Sequence, residues 1–250
     1  MLLMVAKREL IKTGKWTVEA LDELIQRAAS INDIGERVAF FSDFFLGTPY
    51  IENTLIGDAT SEEVFVVNLV GVDCFTFLDY VEAMRLSDSF ESFKSSLKKV
   101  RYRGGIISFA HRNHFFTEWH EYNKEFVSDI TEEIGLDHSV LVRKKLNQKN
   151  DGTVFVPGID PAEREIRVIP STAICDKIYD RLRTGDYIGI YSDLSGLDVS
   201  HVGIFVKQKD GPILRHASSS MSVRKVVDQD FIRYVRNKPG IIVVRPKPLG

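Results

Sequence analysis

The chain has 250 residues, of which 44% are hydrophobic and 27% are charged, and its formal net charge is −2. The apolar content is too high and the net charge too small for a disordered chain, and the near-neutral balance argues against the basic footprint of a nucleic-acid-binding protein. No apolar run approaches the roughly 18 residues that a membrane span requires, and Cys74 and Cys175 cannot form a disulfide framework, although a single bridge stays open.

The amino-terminal segment has the wrong order of residues for a secretory signal. Residues 1–6 are apolar but few, and the basic Lys7 and Arg8 follow them instead of preceding them. The sequence therefore indicates either a cytoplasmic protein or one whose signal has already been removed.

The first part of the chain is predicted to be mainly helical. Thr17 is a suitable N-cap for a first helix, and residues 34–45 form a second apolar segment that a Gly-Thr-Pro run ends. Residues 64–70 are a short, β-branched, apolar run, which predicts a buried strand.

The clearest predicted helix covers residues 73–86. Asp73 is a good N-cap, and Cys74 and Phe77 begin an apolar stripe at helical spacing. Cys74 is therefore expected in the first turn of this helix. Residues 90–100 are predicted to form a further, weaker helix.

The last third of the chain is predicted to be rich in strands. β-branched or aromatic residues lie between Gly, Asp or Pro in residues 187–191, 201–206, 213–217 and 241–244. Helices that are followed by antiparallel strands predict an α+β fold in a single domain.

Cys74 is the first candidate for chemistry. A helix N-terminus favours the thiolate form of a cysteine, and the free N–H groups of the first turn can bind an oxyanion. The alternative is an inert cysteine on a buried helix face, because cysteine is among the most buried residue types.

Two histidines on the predicted hairpin of residues 201–217 strengthen the first interpretation. If Val206 faces Ile213, His201 and His216 are diagonal neighbours on one face of the sheet, and a slip of one residue would separate them. In the favourable register, His201 would accept the proton of Cys74, and His216 would orient His201.

These segments resemble the NlpC-type cysteine peptidases, a papain-like superfamily. Asp-Cys-Phe-Thr-Phe at residues 73–77 resembles the nucleophile motif, and Ser-His-Val-Gly-Ile at residues 200–204 resembles the base strand. The further matching segments, in the order of the family, are residues 47–50, 185–188 and 214–219.

A finer resemblance concerns one bacterial branch. Thr76 and Phe77 replace the usual Ser-Gly after the nucleophile, and together with residues 112–116 and Trp119 they resemble the formerly uncharacterised N-acetylmuramoyl-L-alanine amidases. The resemblance implies a papain-like core and cleavage of the bond between N-acetylmuramic acid and L-alanine, preferably in soluble 1,6-anhydro muropeptides of cell-wall recycling. It implies no cofactor and no metal, and it implies a cell-envelope or periplasmic location.

The resemblance also assigns roles to residues. The implied catalytic residues are Cys74, His201 and His216, with Tyr50 and Asp73 near the oxyanion. The preferred substrate-binding residues are Arg112, Asn113, Trp119 and Ser200; an internal hydrogen-bond network around the first three is the alternative interpretation. Cys175 is expected to have no catalytic role.

The whole chain, residues 1–250, is predicted to be one amidase domain. Helices in residues 1–46 would pack on a catalytic core formed by residues 47–100 and 181–250. Residues 101–180 would be an inserted elaboration that shapes the cleft.

Three other chemistries remain open at this stage, one of which is a thioester-based acyltransferase on the same nucleophile. The same nucleophile could cut the γ-D-glutamyl–diaminopimelate bond, which is the commoner specificity of the superfamily. A zinc amidase is the third alternative, because His111, His114 and His120 lie close to Glu118 and Glu121 in the sequence. The expected partner is in each case a peptidoglycan-derived small molecule, without nucleic acid, a membrane span or an obligate protein partner.

Overall fold

The computed structural model describes residues 9–248. The apolar amino-terminal segment, on which the prediction about a secretory signal rests, lies outside the described residues. Within residues 9–248, no helix combines the length and the apolar character that crossing a bilayer would need.

The helices are α1 (Val18–Ala29), α2 (Ile34–Phe44), α3 (Cys74–Arg85), α4 (Phe90–Arg101), α5 (Phe116–Tyr122), α6 (Thr131–Gly135), α7 (Asp176–Arg181) and α8 (Phe231–Val235). The strands are β1 (Glu9–Lys12), β2 (Phe65–Asn68), β3 (Val127–Asp129), β4 (Val140–Leu146), β5 (Ala162–Pro170), β6 (Tyr187–Tyr191), β7 (Val199–Gln208), β8 (Gly211–Ala217), β9 (Val226–Asp230) and β10 (Gly240–Pro246).

The strands build an antiparallel sheet that follows the helices, as in an α+β fold. The order in the main sheet is β4-β5-β10-β6-β7-β8-β9, and β3 also pairs with β10. β1 and β2 form a separate parallel pair. The helical start and the strand-rich end of the chain agree with the sequence prediction.

Helix α3 lies inside the molecule rather than on its surface. All of its residues from Thr76 to Arg85 are buried, so it is not the helix with one buried stripe that the sequence predicted. Its charged side chains are paired: Asp79 with Arg101 at 2.8 Å, and Glu82 with the Nε of Arg85 at 2.8 Å. These buried pairs satisfy the polar groups of a helix that packs on all sides.

Part of residues 101–180 belongs to the central sheet. β4 and β5 form an antiparallel ribbon, and β5 pairs with β10 at Gly240 and Ile241. The predicted elaboration therefore contributes strands to the main sheet, and the proposed division of the chain into a core and an insertion stays a prediction.

Candidate active site

Cys74 is the first residue of α3, and its side chain is half-buried. The Asp73 carboxylate accepts the backbone N–H groups of Phe75 and Thr76 at 3.0 and 2.7 Å. Thr76 Oγ1 in turn accepts the N–H of Asp73 at 3.0 Å. This capping box fixes the start of the helix, and therefore the position of the sulfur, through contacts between close neighbours in the sequence.

Burial disfavours the thiolate form of Cys74. Burial raises the pKa of the thiol to about 12, and the charge of Asp73 adds to this effect. The backbone N–H groups of Val202, Cys74 and Phe75 act in the opposite direction, but they do not outweigh the loss of solvent. At neutral pH the site therefore holds a thiol, whereas the sequence argument expected the helix terminus to favour a thiolate.

The sulfur faces a point at which two strands of the sheet stop pairing. The β7–β8 pairing runs from Gln208 and Gly211 to Ile204 and Arg215, although β7 begins earlier. Beyond the last pair, the backbone N–H of Val202 faces the Cys74 sulfur. His201 directly precedes Val202 on β7, the strand against which α3 packs.

The β7–β8 hairpin has the register that the sequence predicted. Val206 pairs with Ile213. His201 Nε2 lies 2.7 Å from His216 Nδ1, and the two ring planes stand at 89°. A Cβ built on Gly203 would lie only 3.0 Å from the Cβ of His216, so the missing side chain leaves room for this contact. The prediction that both histidines share one face is confirmed.

Both imidazoles are uncharged at neutral pH. Burial is the main cause that lowers the pKa of His201 to about 3, with smaller contributions in the same direction from its electrostatic interactions with His216 and Lys238. Burial also lowers the pKa of His216, against the opposing effects of Gln229 and Asp228. Burial thus favours the neutral form of both rings, which is the form that accepts a proton.

Two residues next to these histidines were not identified from the sequence. Gln229 on β9 places its Oε1 2.7 Å from His216 Nε2. The Tyr234 ring on α8 lies 5.0 Å from the His216 ring and 6.3 Å from the His201 ring, centroid to centroid. Burial, and then the charge of Cys74, raise the pKa of Tyr234 to about 12, so its hydroxyl stays protonated.

Tyr50 lies close to the nucleophile. Burial and the charges of Cys74 and Asp73 raise the pKa of Tyr50 to about 12, which keeps its hydroxyl a hydrogen-bond donor. The Arg224 guanidinium lies 4.7 Å from the centre of the Tyr50 ring and donates to the Tyr50 carbonyl at 3.3 Å. Arg224 thus holds the ring in place by contact with its face and its backbone.

Ser200 occupies an irregular position immediately before His201. Ile190 pairs with His201 and Tyr191 pairs with Val199, so Ser200 is the extra residue of a β-bulge. Its side chain is exposed, and its hydroxyl lies 3.4 Å from the carbonyl of Ile190. Its predicted role in substrate binding stays a prediction.

Two of the predicted substrate-binding residues, Trp119 and Asn113, are buried in the protein. Trp119 is fully buried and donates its indole N–H to Asp79 at 3.1 Å. Asn113 is 3% exposed and donates to the carbonyl of Val100 at 3.0 Å. Both side chains donate to groups of the protein itself, and their predicted role in substrate binding stays a prediction.

Arg112 is similarly engaged. Its Nε donates to Glu63 Oε1 at 3.1 Å, and the Tyr102 hydroxyl donates to the same oxygen at 2.7 Å. The Arg112 side chain is only 14% exposed. The internal hydrogen-bond network, which was the alternative interpretation, describes this region better than a substrate cleft.

The histidines of the zinc alternative have separate partners. His111 contacts Ser108 Oγ at 2.7 Å, and His114 contacts the carbonyl of Phe109 at 2.8 Å. His120 Nε2 lies 3.7 Å from Asp129. Across residues 9–248, no three His, Cys, Asp or Glu side chains come together as metal ligands would. Their sequence proximity therefore does not translate into a ligand set.

Comparison with protein families identifies the class of protein. Residues 40–241 match the AmiA-like family, which is described as N-acetylmuramoyl-L-alanine amidase-like. The match spans most of the chain and includes the histidine pair and the helix that begins at Cys74, and the chain belongs to this family. A search of curated proteins found no match.

Solved structures share the fold over most of their length. A Legionella pneumophila protein of the family DUF1460 is 23% identical with a TM-score of 0.78, over 92% of this chain and 94% of that one. An N-acetylmuramoyl-L-alanine amidase from Bacteroides uniformis is 25% identical with a TM-score of 0.70, over 86% of this chain and 99% of that one. The first likeness shows the fold, and the second adds a relative that is named as an amidase.

Proposed function

We propose that the protein is a cysteine-dependent amidase that hydrolyses the N-acetylmuramoyl-L-alanine bond of peptidoglycan fragments. Family membership supports the reaction class, and the motifs of residues 73–77 and 200–204 support an NlpC-type, papain-like ancestry. The observation that carries the proposal is the contact of His201 Nε2 with His216 at 2.7 Å, one residue before Val202, whose backbone N–H faces the Cys74 sulfur. This contact occupies one ring nitrogen of His201 and leaves Nδ1 for the nucleophile.

The first half of the reaction begins from a neutral thiol and a neutral imidazole. The Cys74 sulfur attacks the lactyl carbonyl carbon while the thiol proton passes to His201 Nδ1. The carbonyl oxygen becomes an oxyanion, which the backbone N–H of Cys74 and the hydroxyl of Tyr50 would stabilise. Each such donor is typically worth about 10²–10³ in rate.

The second half returns the site to its starting state. His201 Nδ1–H gives its proton to the nitrogen of L-alanine, the C–N bond breaks, and the peptide leaves with a free amino group. Water then attacks the thioester while His201 takes one of its protons, and the collapse of this intermediate releases the muramyl acid and restores the thiol. The chain's own residues supply every proton transfer in this scheme.

The proposed substrates are soluble 1,6-anhydro muropeptides, and the main rival keeps the same nucleophile but cuts the γ-D-glutamyl–diaminopimelate bond. A 1,6-anhydro disaccharide carrying an L-Ala-γ-D-Glu-diaminopimelate-D-Ala tetrapeptide separates the two by mass spectrometry. Free disaccharide with an intact tetrapeptide supports the proposal. A released diaminopimelate-D-Ala dipeptide would support the rival and reject the proposed bond.

The same assay tests whether Cys74 is the nucleophile. We expect Cys74→Ala to lower kcat/KM by at least about 10³-fold. Cys175→Ala is the matched control, because Cys175 is a free and exposed cysteine that we expect to be dispensable. Activity that survived Cys74→Ala and thiol alkylation but was lost with a chelator would reject the cysteine mechanism in favour of a zinc amidase.

A further inference from the structure

Gln229 continues the contact between the two histidines. Its Oε1 lies 2.7 Å from His216 Nε2, while His216 Nδ1 lies 2.7 Å from His201 Nε2. In the β8–β9 pairing, Val227 lies opposite His216, so Gln229 is the diagonal neighbour of His216 on the same face of the sheet. Three side chains from three adjacent strands thus form one hydrogen-bonded row.

Both ring nitrogens of His216 are occupied by protein atoms. His216 is only 2% exposed, so solvent contributes little to the choice of its protonated nitrogen. An amide oxygen only accepts hydrogen bonds, so the bond to Gln229 Oε1 requires the proton of His216 on Nε2. Nδ1 of His216 then carries a lone pair and accepts the N–H of His201 Nε2.

The tautomer of His216 also determines the tautomer of His201, the candidate base. A neutral imidazole that is protonated on Nε2 has its lone pair on Nδ1. His201 in this tautomer can take a proton through Nδ1. If the amide NH₂ of Gln229 faced His216 instead, every proton in the row would move to the other nitrogen, and His201 Nδ1 would be a donor that is unable to act as a base.

We propose that Gln229 is a positioning residue that sets the tautomer of His216, and through it the tautomer of His201, so that the base presents its lone pair on Nδ1. This inference rests on the proposed function for its catalytic consequence, but the tautomers themselves are a property of the resting protein. The contact that the structure gives the Gln229 side chain is with His216, so its proposed effect on the base passes through the histidines.

A neutral amide differs from a carboxylate at this position. A carboxylate would stabilise a positive charge on the imidazoles, and an amide does so weakly. The other groups that face the pair are Lys238, Asp228 and the hydroxyl-bearing Tyr234. Replacing Gln229 by Glu therefore adds one negative charge to a row that now has none, while keeping an acceptor oxygen for His216 Nε2.

The variants are Gln229→Leu, which removes the acceptor at similar size, and Gln229→Glu, which keeps it. Gln208→Leu and Gln208→Glu are the matched controls. Gln208 is an exposed glutamine on the same hairpin, at the end of β7 far from His201, where it pairs with Gly211. The same chemical changes are thus made at a site without contact to the histidines.

The direct readout is the ¹⁵N chemical shift of the histidine ring nitrogens in the protein without substrate. We expect His201 and His216 of the wild type to carry their protons on Nε2. In Gln229→Leu we expect a mixture of tautomers at both histidines, a kcat lower by about 10–100-fold and a KM within about twofold. Gln208→Leu should change none of these. A wild-type His216 protonated on Nδ1, or ring shifts that are the same in Gln229→Leu, would overturn the proposal.

Gln229→Glu gives a second test that does not depend on the stability of the Leu variant. We expect the tautomers to be retained and the acid limb of the kcat/KM profile to move to higher pH, whereas Gln208→Glu leaves the limb in place. An unchanged limb in Gln229→Glu would contradict the proposed coupling. If Cys74→Ala retained activity, the proposed function would fail, yet the ring shifts would still decide the tautomers, so the two failures can be told apart.

Discussion

Two regions of the molecule carry the residue types of an active site, and they use them differently. On β7, β8 and β9, three polar side chains form a hydrogen-bonded row of His201, His216 and Gln229. Around residues 112–119, arginine, asparagine and tryptophan side chains bind groups of the protein itself, such as Asp79 and Glu63. The first set of bonds links three strands of the sheet, and the second set links α3, α4 and α5.

The difference arises from the backbone. The first region lies where the pairing of β7 and β8 ends, which leaves the N–H of Val202 directed at the Cys74 sulfur. In the second region, Trp119 and Arg112 donate to the carboxylates of Asp79 and Glu63. Asn113 donates to the carbonyl of Val100. Residue type alone therefore does not distinguish a site from an internal network; the partners that the fold supplies do.

The largest effect that would test this comparison is expected at the base. His201→Ala removes the group that accepts the thiol proton, and we expect kcat/KM to fall by about 10²–10⁴-fold in the muropeptide assay. His138→Ala is the matched control, because His138 is exposed and lies away from the row. A variant that lost less than about tenfold would show that the row of histidines is not the working site.

An intermediate effect, on stability rather than on rate, is expected in the second region. Asn113→Ala removes the bond to the Val100 carbonyl, which still accepts from Asn123 at 2.8 Å. We expect a loss of about 1–3 kcal/mol in unfolding free energy, or several degrees in Tm, with kcat and KM unchanged.

The exposed Asn150 provides the control for this substitution. Asn150→Ala should alter the unfolding free energy by less than about 0.5 kcal/mol, as is usual for surface changes. If Asn113→Ala instead raised KM without lowering Tm, residues 112–119 would have to be counted as part of the substrate site after all.

Local signals explain what the sequence could predict. The start of α3 depends on Asp73 and Thr76, which are neighbours of Cys74, and the β7–β8 register follows from a short turn. Both are visible without knowledge of the rest of the fold. The pairing of His201 with His216 could be predicted for the same reason, because 15 positions along one hairpin separate them.

Contacts between distant segments explain which features the sequence could not predict. Trp119 is buried because it meets Asp79, which lies 40 positions earlier in the chain. Strand β9 has only two apolar residues, Val226 and Val227, before Asp-Gln-Asp, so it was not predicted as a strand and the contact of Gln229 with His216 was not predicted either. The raised pKa of Cys74 depends on the depth at which α3 is buried, which no local motif reports.

The smallest expected effect concerns pH: we expect kcat/KM to change little with pH, because the groups of the first region keep their protonation states. The pKa of His201 is lowered to about 3, so this base stays neutral and able to accept a proton as the pH falls from 8 to 5. The pKa of the Cys74 thiol is raised to about 12, so the thiol remains protonated over the same interval and its proton is always there to be transferred. The reactive pair thus has the same protonation state throughout, and we expect kcat/KM to be nearly flat between pH 5 and pH 8. An acid limb with a midpoint near pH 6–7 would mean that one imidazole of the row is charged in the free protein, and that the burial seen here does not govern its titration.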